Sequence, residues 1–414
     1  MQDILQIANK IKDNGGTLYL VGGAVRDKLL GNEIHDEDYC VTGITATQFK
    51  ALFPESFLRG KDFEVFDIYG TEFAMARRER KTGTGHKEFE ITTSPQISIE
   101  EDLARRDITI NSIAQEVLTG KIIDPFNGQK DLENRIIRAT TLAFKEDPLR
   151  VYRVARFAAK LNFSVDDNTL EMMNSLKEEL STLSKERVFV EFEKALKTDK
   201  PSIFFNVLKK ANVLEVHFKE IYDLIGALQP EKYHPEGDAY VHTMMVLDYC
   251  ATMTENVEIR FSALVHDLGK GLTPKEEYPH HYNHEINGVK LVEDLGNRIG
   301  IPNSWKKCGK IACREHMRGG IFFKMKPAKK IEFIERVAKT YLGLDGLQIV
   351  VNADKLSSRN VNNQDINFAE IGKKCLSEIN GDYISKKYGL KEGISLAQKL
   401  HEERIKWLKN METY

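Results

Sequence analysis

Strand-forming patterns end near residue 145 of this 414-residue chain, and helical periodicity dominates from there to the C-terminus. A chain of this length is too long for one core and predicts about two to four domains. We therefore expect a small α/β head followed by an all-α body. Apparent breaks in the helical pattern fall at 230–237 and near Pro327.

Composition excludes several classes of protein. The chain is 41% hydrophobic and 29% charged with a net charge of −2, so the overall charge does not indicate a nucleic-acid partner, which would need a local basic patch. No apolar run approaches the roughly 20 residues that span a bilayer, and the N-terminus has no signal-peptide pattern. The five cysteines are scattered and never form Cys-x-x-Cys, which indicates reduced thiols. We expect a cytoplasmic protein with no membrane partner.

Short patterns before residue 145 predict the elements of the head. The predictions are a helix at 1–14, a strand at 17–21, a helix at 24–30, a strand at 36–41, a hairpin from strands 63–68 and 72–76, and a mobile loop at 77–86.

Gly22-Gly23 stands between the predicted strand 17–21 and the helix that follows it. Glycines there let backbone N–H groups approach a phosphate, and the helix N-terminus adds positive potential. Gly23 and Arg26 are therefore candidates for phosphate contacts. A Gly-Gly turn alone is more often an ordinary tight turn.

Asp36 and Asp38 are two residues apart on the predicted strand 36–41, so we expect both carboxylates on one face. Adjacent like charges need cations between them. Phosphoryl transfer by two Mg²⁺ ions requires such a pair, although a lone Asp-x-Asp can also be a solvent-facing strand edge. The Gly-Gly turn shortly upstream favours the catalytic interpretation.

Paired arginines at Arg105-Arg106 enter the apolar run that begins at Ile108. Burying a guanidinium beside isoleucine is costly unless an anion receives it. A nucleoside triphosphate would be such an anion.

Asp147, Arg150, Arg153 and Arg156 recur every three residues and would share one broad face of a helix. The intervening residues are apolar, which predicts that much of this helix is buried. Burying the charges of Asp147 and Arg150 would then cost free energy unless they bind a partner. A carboxylate that accepts from an amino group beside a guanidinium that donates to a ring nitrogen fits the edge shared by cytosine and adenine. Uracil and guanine present a carbonyl there, so this pair would select C and A. A salt-bridged surface helix is the ordinary alternative.

Eight histidines and aspartates follow in order, and those at 266–267 and 354 lie within apolar helical patterns. Any one buried histidine alone would be a satisfied core residue, but together these side chains predict a metal centre. Nitrogen and oxygen ligands suit Ni²⁺, Mn²⁺ or Co²⁺ better than Mg²⁺. The eight are His242, His266, Asp267, His280, His281, His284, His316 and Asp354.

One segment is strongly basic. Residues 306–330 hold nine lysines and arginines against Glu315 alone, a local net charge of +8. Such a run is as often a solvated helix face as an RNA-binding patch.

Five motifs in this order resemble those of the bacterial class II tRNA nucleotidyltransferases. The resemblance spans nearly the whole chain and implies a polymerase-β-like palm. Asp36 and Asp38 would bind Mg²⁺, Arg106, Arg153 and Arg156 would contact nucleotide, and Asp147 with Arg150 would select the base. The motifs are Gly-Gly-Ala-Val-Arg-Asp at 22–27, Asp-x-Asp at 36–38, Arg-Arg-Asp-Ile-Thr-Ile-Asn at 105–111, Asp-Pro-Phe-Asn-Gly at 124–128 with Asp131-Leu132, and Glu-Asp-Pro-Leu-Arg at 146–150; Glu186-Arg187 with Glu191 resembles a sixth.

The histidine pattern resembles the HD metal-dependent phosphohydrolase domain. The resemblance implies His242, His266, Asp267 and Asp354 as ligands, with His284 and His316 in outer or second-metal positions. Chains that join both parts resemble the bifunctional CCA-adding enzymes, which implies phosphatase, 2′-nucleotidase and 2′,3′-cyclic phosphodiesterase activity beside CCA addition from CTP and ATP to tRNA.

Three alternatives stay open. A bacterial poly(A) polymerase shares the head, but the segment 60–66 lacks the Gly-Arg-Arg-Phe and His-Val patterns that those polymerases share. A CC-only or A-only enzyme can differ in a flexible loop. An RNA-binding HD phosphohydrolase with an inactive head is a different class, which the intact Asp36/Asp38 pair disfavours.

The predicted organisation has four parts and leaves the oligomer as a monomer or a homodimer. The parts are a nucleotidyltransferase head at 1–140, a helical neck and body at 141–232, an HD domain at 233–360 and a helical tail at 361–414.

Overall fold

A computed structural model describes residues 4–34, 36–59, 64–81, 89–357, 367–390 and 394–412. The fold divides into two compact units. Unit 1 is Met1–Val188 with Asn206–Val213, and unit 2 is Phe189–Phe205 with Leu214–Tyr414. The finer four-part division stays a prediction.

The strands of the described residues all lie in unit 1. In chain order they are β1 (Thr17–Val21), β2 (Asp38–Thr42), β3 (Phe57–Arg59), β4 (Val65–Ile68), β5 (Thr71–Met75), β6 (Arg77–Lys81), β7 (Phe89–Thr93), β8 (Ala114–Glu116), β9 (Ile122–Ile123), β10 (Ile136–Ile137) and β11 (Ser164–Val165).

Seven of these strands form a mixed sheet in the order β3-β4-β5-β2-β1-β8-β9. β2 pairs with β5 in parallel and with β1 antiparallel, so it lies in the middle of the sheet. Phe49 of the helix Ala46–Leu52 is buried against the sheet, with its ring centroid 4.9 Å from that of Phe66. The sheet therefore has a helix-covered face, as a half-buried sheet requires.

Nine helices are described in the chain up to residue 210. They are α1 (Ile4–Lys12), α2 (Gly23–Leu29), α3 (Ala46–Leu52), α4 (Ile99–Ala104), α5 (Gly128–Asn134), α6 (Leu149–Leu161), α7 (Asp167–Ser175), α8 (Lys185–Leu196) and α9 (Ser202–Lys210), with 3₁₀ turns at Thr109–Asn111, Leu142–Glu146 and Glu179–Thr182.

The described part of the chain after residue 213 contains helices and turns only. These are α10 (Leu214–Tyr222), α11 (Ala239–Met253), α12 (Val257–Val265), α13 (His284–Ile299), α14 (Asn303–Gly320), α15 (Pro327–Val337), α16 (Gly343–Ser357), α17 (Phe368–Glu378), α18 (Gly381–Tyr388) and α19 (Ile394–Glu412), with 3₁₀ turns at Leu268–Leu272, Lys275–Glu277 and Phe322–Lys324.

Four helices of unit 2 pack against one another and form its centre: α11, α12, α14 and α16. Their shared core includes Val246, Ala263, Ala312 and Val350, all of which are fully buried. α11 and α12 begin with N-caps, since Asp238 accepts from the N–H of Val241 at 2.9 Å and Asn256 caps α12. Fixed starts and a close-packed core give these helices a defined rotation, which directs the side chains discussed below.

Most predicted elements are confirmed, with errors at their ends. β1 has the predicted bounds, and β4 and β5 form the hairpin with Ile68 opposite Thr71. The predicted strand 36–41 begins only at Asp38. The loop prediction is wrong for Arg77–Lys81, because these residues form β6 and pair with β7; residues 82–86 lie outside the described residues. Pairing with a second strand satisfies the backbone of this polar segment.

None of the described helices combines the length and the apolar character that a bilayer crossing requires.

Candidate active sites

The Gly-Gly turn brings a loop arginine against the end of the central strands. Gly22 has a φ of +68°, which favours glycine, and a Cβ there would lie 2.9 Å from Nη1 of Arg106. Val21, the last residue of β1, pairs directly with Asp38 of β2. The turn, the predicted arginine and one predicted carboxylate therefore meet at one edge of the sheet.

Asp36 precedes β2 rather than lying on it, so the predicted alternation along a strand is not what relates it to Asp38. Both residues are exposed at the start of the strand. Loss of solvation against the sheet raises the pKa of Asp38, the carboxylates of Glu72 and Asp36 raise it further, and Arg106 opposes the shift. A carboxylate crowded by like charges is one that a bound cation would stabilise, so these residues fit a divalent ion.

The ring of Phe157 lies beside three guanidinium groups. Its centroid is 3.9 Å from Cζ of Arg156, 5.3 Å from that of Arg26 and 5.6 Å from that of Arg153. Arg26 belongs to α2 and the others to α6, so the packing gathers three of the predicted nucleotide-contacting arginines. Positive charge concentrated at this distance attracts an anion such as a triphosphate.

A series of hydrogen bonds holds two of these arginines, Arg26 and Arg153, in place. Arg26 donates to Oδ1 of Asn111 at 2.6 Å, and Asn111 donates to Oδ1 of buried Asp107 at 3.2 Å. Asp107 accepts from Nε of Arg153 at 2.8 Å. Burial alone would raise the pKa of Asp107, but Arg153, Asn111 and Arg150 together outweigh burial and lower the pKa. These hydrogen bonds thus connect α2 with α6 through the motif at 105–111.

Asp102 is an anion that the sequence interpretation of Arg105 and Arg106 did not foresee. Its buried carboxylate accepts from Arg105 at 2.6 Å and from Arg106 at 3.1 Å. The paired arginines therefore do not require a triphosphate for compensation. Arg106 nevertheless lies against the Gly22 turn and remains a candidate ligand.

Asp147 lies two residues before α6, so the prediction that it shares a helix face with Arg150 is wrong. It accepts from the N–H of Leu149 at 3.0 Å and pairs with Arg187 at 2.9 Å. Arg150, which is nearly buried, donates to the carbonyl of Ala143 at 2.7 Å. Both predicted base-selecting groups are thus fixed by neighbours at the start of α6.

The six predicted metal ligands of unit 2 come together from five places in the chain, namely α11, the end of α12, α13, α14 and α16. Nε2 of His242 lies 3.1 Å from Oδ1 of Asp354, and Nε2 of His266 lies 3.2 Å from Oδ2 of Asp267. The other oxygen, Oδ1 of Asp267, lies 3.3 Å from Nε2 of both His284 and His316. Asp267 therefore stands between two groups of ligands, and the six positions read from the sequence converge.

His266 and Asp267 can act together because α12 ends at Val265. Adjacent residues inside a helix would diverge by about 100°. His266 is instead the C-terminal cap, and Asp267 has a φ of −111° and begins a 3₁₀ turn. The expectation of a continuous helix here is wrong, and the helix end is what lets both side chains face one point.

Backbone carbonyls orient three of the four imidazoles. Nδ1 of His266 donates to the carbonyl of Ala263 at 2.7 Å, and Nδ1 of His284 donates to that of His281 at 2.7 Å. Nδ1 of His316 likewise faces the carbonyl of Cys313 at 2.9 Å. Since a carbonyl only accepts, each Nδ1 carries the proton and each Nε2 is left as the lone-pair donor that a metal needs.

The residues present fit a bound transition metal. No hydrogen bond among the described residues satisfies the buried Nε2 atoms of His266 and His284 or Oδ1 of Asp267. Donor atoms that share an ion at 2.0–2.2 Å lie roughly 2.8–3.6 Å apart. Four separations of 3.1–3.3 Å in this cluster fall in that range, and the distance of 3.7 Å between Nε2 of His242 and Oδ2 of Asp267 lies just beyond it. Burial raises the pKa of Asp267, but His266 and Lys270 hold it well below its usual range, so this ligand is ionised.

Gly269 sets the distance between Asp267 and His284. A Cβ at Gly269 would lie 2.0 Å from the carbonyl oxygen of His284 and 2.8 Å from the backbone nitrogen of Gly288. Both obstacles are backbone atoms, so the start of α13 would have to move.

We expect Gly269→Ala to lower the affinity of the unit 2 site for Ni²⁺ at least tenfold, because displaced α13 carries His284 away from Asp267. Metal titration of the full chain measures this, with a melting curve beside it. Gly320→Ala is the matched control, since a methyl group there meets nothing within 4 Å. Equal affinities in the two variants would contradict the spacing argument.

The basic segment 306–330 is not one uniform surface. Lys306 and Lys330 are buried, and Lys306 pairs with Glu293 at 2.7 Å. Lys307 donates to the hydroxyl of Tyr341 at 3.2 Å, whereas Arg314 and the remaining cations after it are mostly exposed. The RNA-binding role of the segment stays a prediction.

Sequence reasoning missed three residues of these sites: Asn111, Phe157 and Glu236. Asn111 ends the motif at 105–111, but only the structure shows that it accepts a hydrogen bond from Arg26. Phe157 reads as one more apolar residue of α6. Glu236 accepts from Nδ1 of His242 at 2.7 Å, although nothing in the sequence links the two.

Three family models match the chain. The Poly A polymerase head domain matches residues 18–138, a probable RNA and SrmB-binding site of polymerase A matches 162–224, and the HD domain matches 239–358. The models cover the Gly22 turn, Asp36, Asp38 and Arg106 of the first site and all six candidate metal ligands of unit 2, whereas α6 lies between the first two matches.

Relatives and solved structures agree with these matches. The multifunctional CCA protein of Mannheimia succiniciproducens is 45% identical over 331 residues, 77% of this chain and 78% of the relative. That of Vibrio vulnificus (strain CMCP6) is 46% identical over 327 residues, 77% of this chain and 80% of the relative. The Thermotoga maritima CCA-adding enzyme complexed with tRNA has a TM-score of 0.65 at 20% identity, over 98% of this chain and 90% of that one. A CCA-adding enzyme with ATP has a TM-score of 0.64 at 20% identity, over 99% and 90%. At this identity the structures support the fold.

Proposed function

The chain belongs to the multifunctional CCA protein family, and from this premise we propose that it adds C, C and A to the 3′ end of tRNA from CTP and ATP. It is a nucleotidyltransferase that also carries an HD domain. The observation that carries the proposal is the meeting of the Gly22 turn, Asp38 and Arg106 at one sheet edge. A phosphate ligand and a metal ligand are what nucleotidyl transfer needs there.

In this proposal Asp36 and Asp38 hold Mg²⁺, which would supply charge neutralisation for the attacking 3′ oxygen and the leaving pyrophosphate. Gly23, Arg26 and Arg106 receive the triphosphate. Arg153 and Arg156 add positive charge beside Phe157, and the hydrogen bonds of Asn111 and Asp107 hold the guanidinium groups of Arg26 and Arg153 in position.

Base choice falls to Asp147 and Arg150. The carboxylate accepts from the exocyclic amino group of C or A, and the guanidinium donates to the adjacent ring nitrogen. Arg187 pairs with Asp147 at 2.9 Å, which holds the carboxylate in place when no base is bound. We therefore add Arg187 to the proposed selecting group as the residue that orients Asp147.

Asp147→Asn should weaken the preference for CTP and ATP over UTP by roughly 5- to 150-fold, the equivalent of about 1–3 kcal/mol for a lost bidentate partner. The amide still accepts from the N–H of Leu149, so the start of α6 is retained, but it also offers an N–H to a carbonyl of uracil. Single-nucleotide incorporation into tRNA lacking its 3′ end, compared across the four nucleotides, measures the change. An unaltered base preference would exclude the selecting role.

The reaction product distinguishes CCA addition from the two nearest alternative activities. A poly(A) polymerase would extend with ATP alone, and a partial enzyme would stop after CC or require CC already present. The sequence of the 3′ end after reaction with CTP and ATP distinguishes these outcomes. The relatives named as multifunctional CCA proteins favour complete CCA addition.

We further propose that unit 2 hydrolyses phosphate esters, as phosphatase, 2′-nucleotidase and 2′,3′-cyclic phosphodiesterase. His242, His266, Asp267 and Asp354 would hold Ni²⁺ or another divalent transition metal, and His284 with His316 a second ion that shares Asp267. Such a metal supplies a hydroxide nucleophile and a Lewis acid. The ligand spacing and the unsatisfied buried nitrogens support this. Hydrolysis of 2′,3′-cyclic AMP to adenosine monophosphate, with and without Ni²⁺, tests it. If unit 2 hydrolyses its substrate while the head incorporates no nucleotide, the protein would instead be an RNA-binding phosphohydrolase.

A further inference from the structure

Glu236 lies in the segment just before α11 and is almost completely buried. Its side chain is 2% exposed, and Oε1 accepts from Nδ1 of His242 at 2.7 Å and from Nδ1 of His234 at 2.9 Å. A buried carboxylate is costly unless it is bonded. Its contact with a proposed metal ligand therefore points to a role.

His242 differs from the other three imidazoles of the cluster in what holds its second nitrogen. Those of His266, His284 and His316 donate to backbone carbonyls, whereas that of His242 meets a carboxylate. A carboxylate withdraws proton density from Nδ1 more strongly than a carbonyl, and thereby makes Nε2 the better electron donor. His242 is thus the imidazole whose donor strength this chain has raised.

The bond also fixes the direction of His242. With Nδ1 held by Glu236, the ring presents Nε2 towards Oδ1 of Asp354, 3.1 Å away. The carbonyl of Asp238, one turn earlier in the chain, already accepts the backbone N–H of His242 within the helix. It is therefore not a ready substitute for Glu236 as the acceptor of Nδ1, and a ring without Glu236 could rotate about its side-chain torsions.

We propose that Glu236 is a positioning residue of the unit 2 metal centre, which fixes the tautomer and direction of His242 and strengthens its bond to the metal. The inference rests on the proposed metal centre. The inference goes beyond the proposed ligand set, because it names a residue that contacts neither metal nor substrate and still influences the affinity for metal.

A competing interpretation makes His234, Glu236 and His242 a separate metal site, since their donor atoms lie within 4.8 Å of one another. The distance of 2.7 Å between Glu236 and His242 argues against it, because two ligands of one ion lie roughly 2.8–3.6 Å apart. His242 would also need both ring nitrogens for two ions. A hydrogen bond explains the short distance directly.

The test is metal affinity of the full chain, measured by Ni²⁺ titration against a competing chelator. We expect Glu236→Ala to weaken binding 10- to 100-fold, the range for a lost outer-sphere partner. The Ni²⁺ affinity of Glu236→Gln should lie between those of Glu236→Ala and the unchanged protein, since the amide oxygen still accepts from Nδ1 but carries no charge. Glu231→Gln, an exposed glutamate of the same segment, is the matched control and should bind normally.

Each outcome decides one question. If the unchanged protein takes up no Ni²⁺, the proposed metal centre fails. If it binds Ni²⁺ and folded Glu236→Ala binds equally well, the positioning role fails alone; should Glu236→Ala not fold, normal affinity in Glu236→Gln has the same meaning. His234→Ala should leave the number of bound ions unchanged, and loss of one ion there would establish the separate site instead. Nucleotide addition by the head should be the same in all these variants.

Discussion

Asp38→Asn is expected to reduce nucleotide addition by several orders of magnitude while tRNA binding persists. The amide has the shape of the carboxylate but not its charge, and so it cannot hold Mg²⁺ against water. Asp36→Asn should behave in the same way. Single-turnover addition of CMP to tRNA lacking its 3′ end measures the loss, and a binding titration with the same tRNA measures what remains.

Glu33→Gln serves as the control for charge in the same loop, since Glu33 is exposed and outside the proposed site. It should retain normal addition. A near-normal rate in Asp38→Asn would mean that the transferase site lies elsewhere. Loss of tRNA binding together with addition would show that the substitution disturbs the sheet edge rather than the metal.

The second large effect separates the two sites. His266→Ala combined with Asp267→Ala should abolish phosphatase and cyclic phosphodiesterase activity, because the remaining proposed ligands cannot retain a divalent ion at ordinary concentrations. CCA addition should persist. Both activities are measured on one preparation after EDTA treatment and Ni²⁺ addition, which should restore only the unchanged enzyme.

Folding has to be controlled in that experiment, because Asp267 also pairs with buried Lys270 at 2.6 Å. Leaving a buried charge without its partner can cost about 3–5 kcal/mol, so a melting curve accompanies the assay. His266→Ala with His284→Ala removes one ligand from each group and keeps the Lys270 partner. Cyclic-phosphate hydrolysis that survives in a folded variant would exclude this metal centre, and loss of both activities would indicate one coupled site.

Local sequence pattern determined the elements and much of the chemistry. The strand 17–21, the Gly-Gly turn, the hairpin and the helical remainder follow from periodicity and turn residues, which act over a few neighbouring positions. The same reasoning failed at element ends. Asp36 and Asp147 lie just outside β2 and α6, and α12 stops before His266. An end depends on capping and packing, which periodicity does not encode.

The sequence by itself therefore determined which residue types this protein has for metal, phosphate and base, and in what order. Only the tertiary structure decided which of these residues are in contact. Asp267 lies between two groups of histidines, and the ring of Phe157 contacts both Arg26 and Arg156. Asp102 pairs with Arg105, and Glu236 accepts a hydrogen bond from His242. These partners mostly come from different helices and strands. Their meeting depends on how close-packed elements are rotated and spaced, which is set by the whole core and by close approaches such as that of Gly269 to His284.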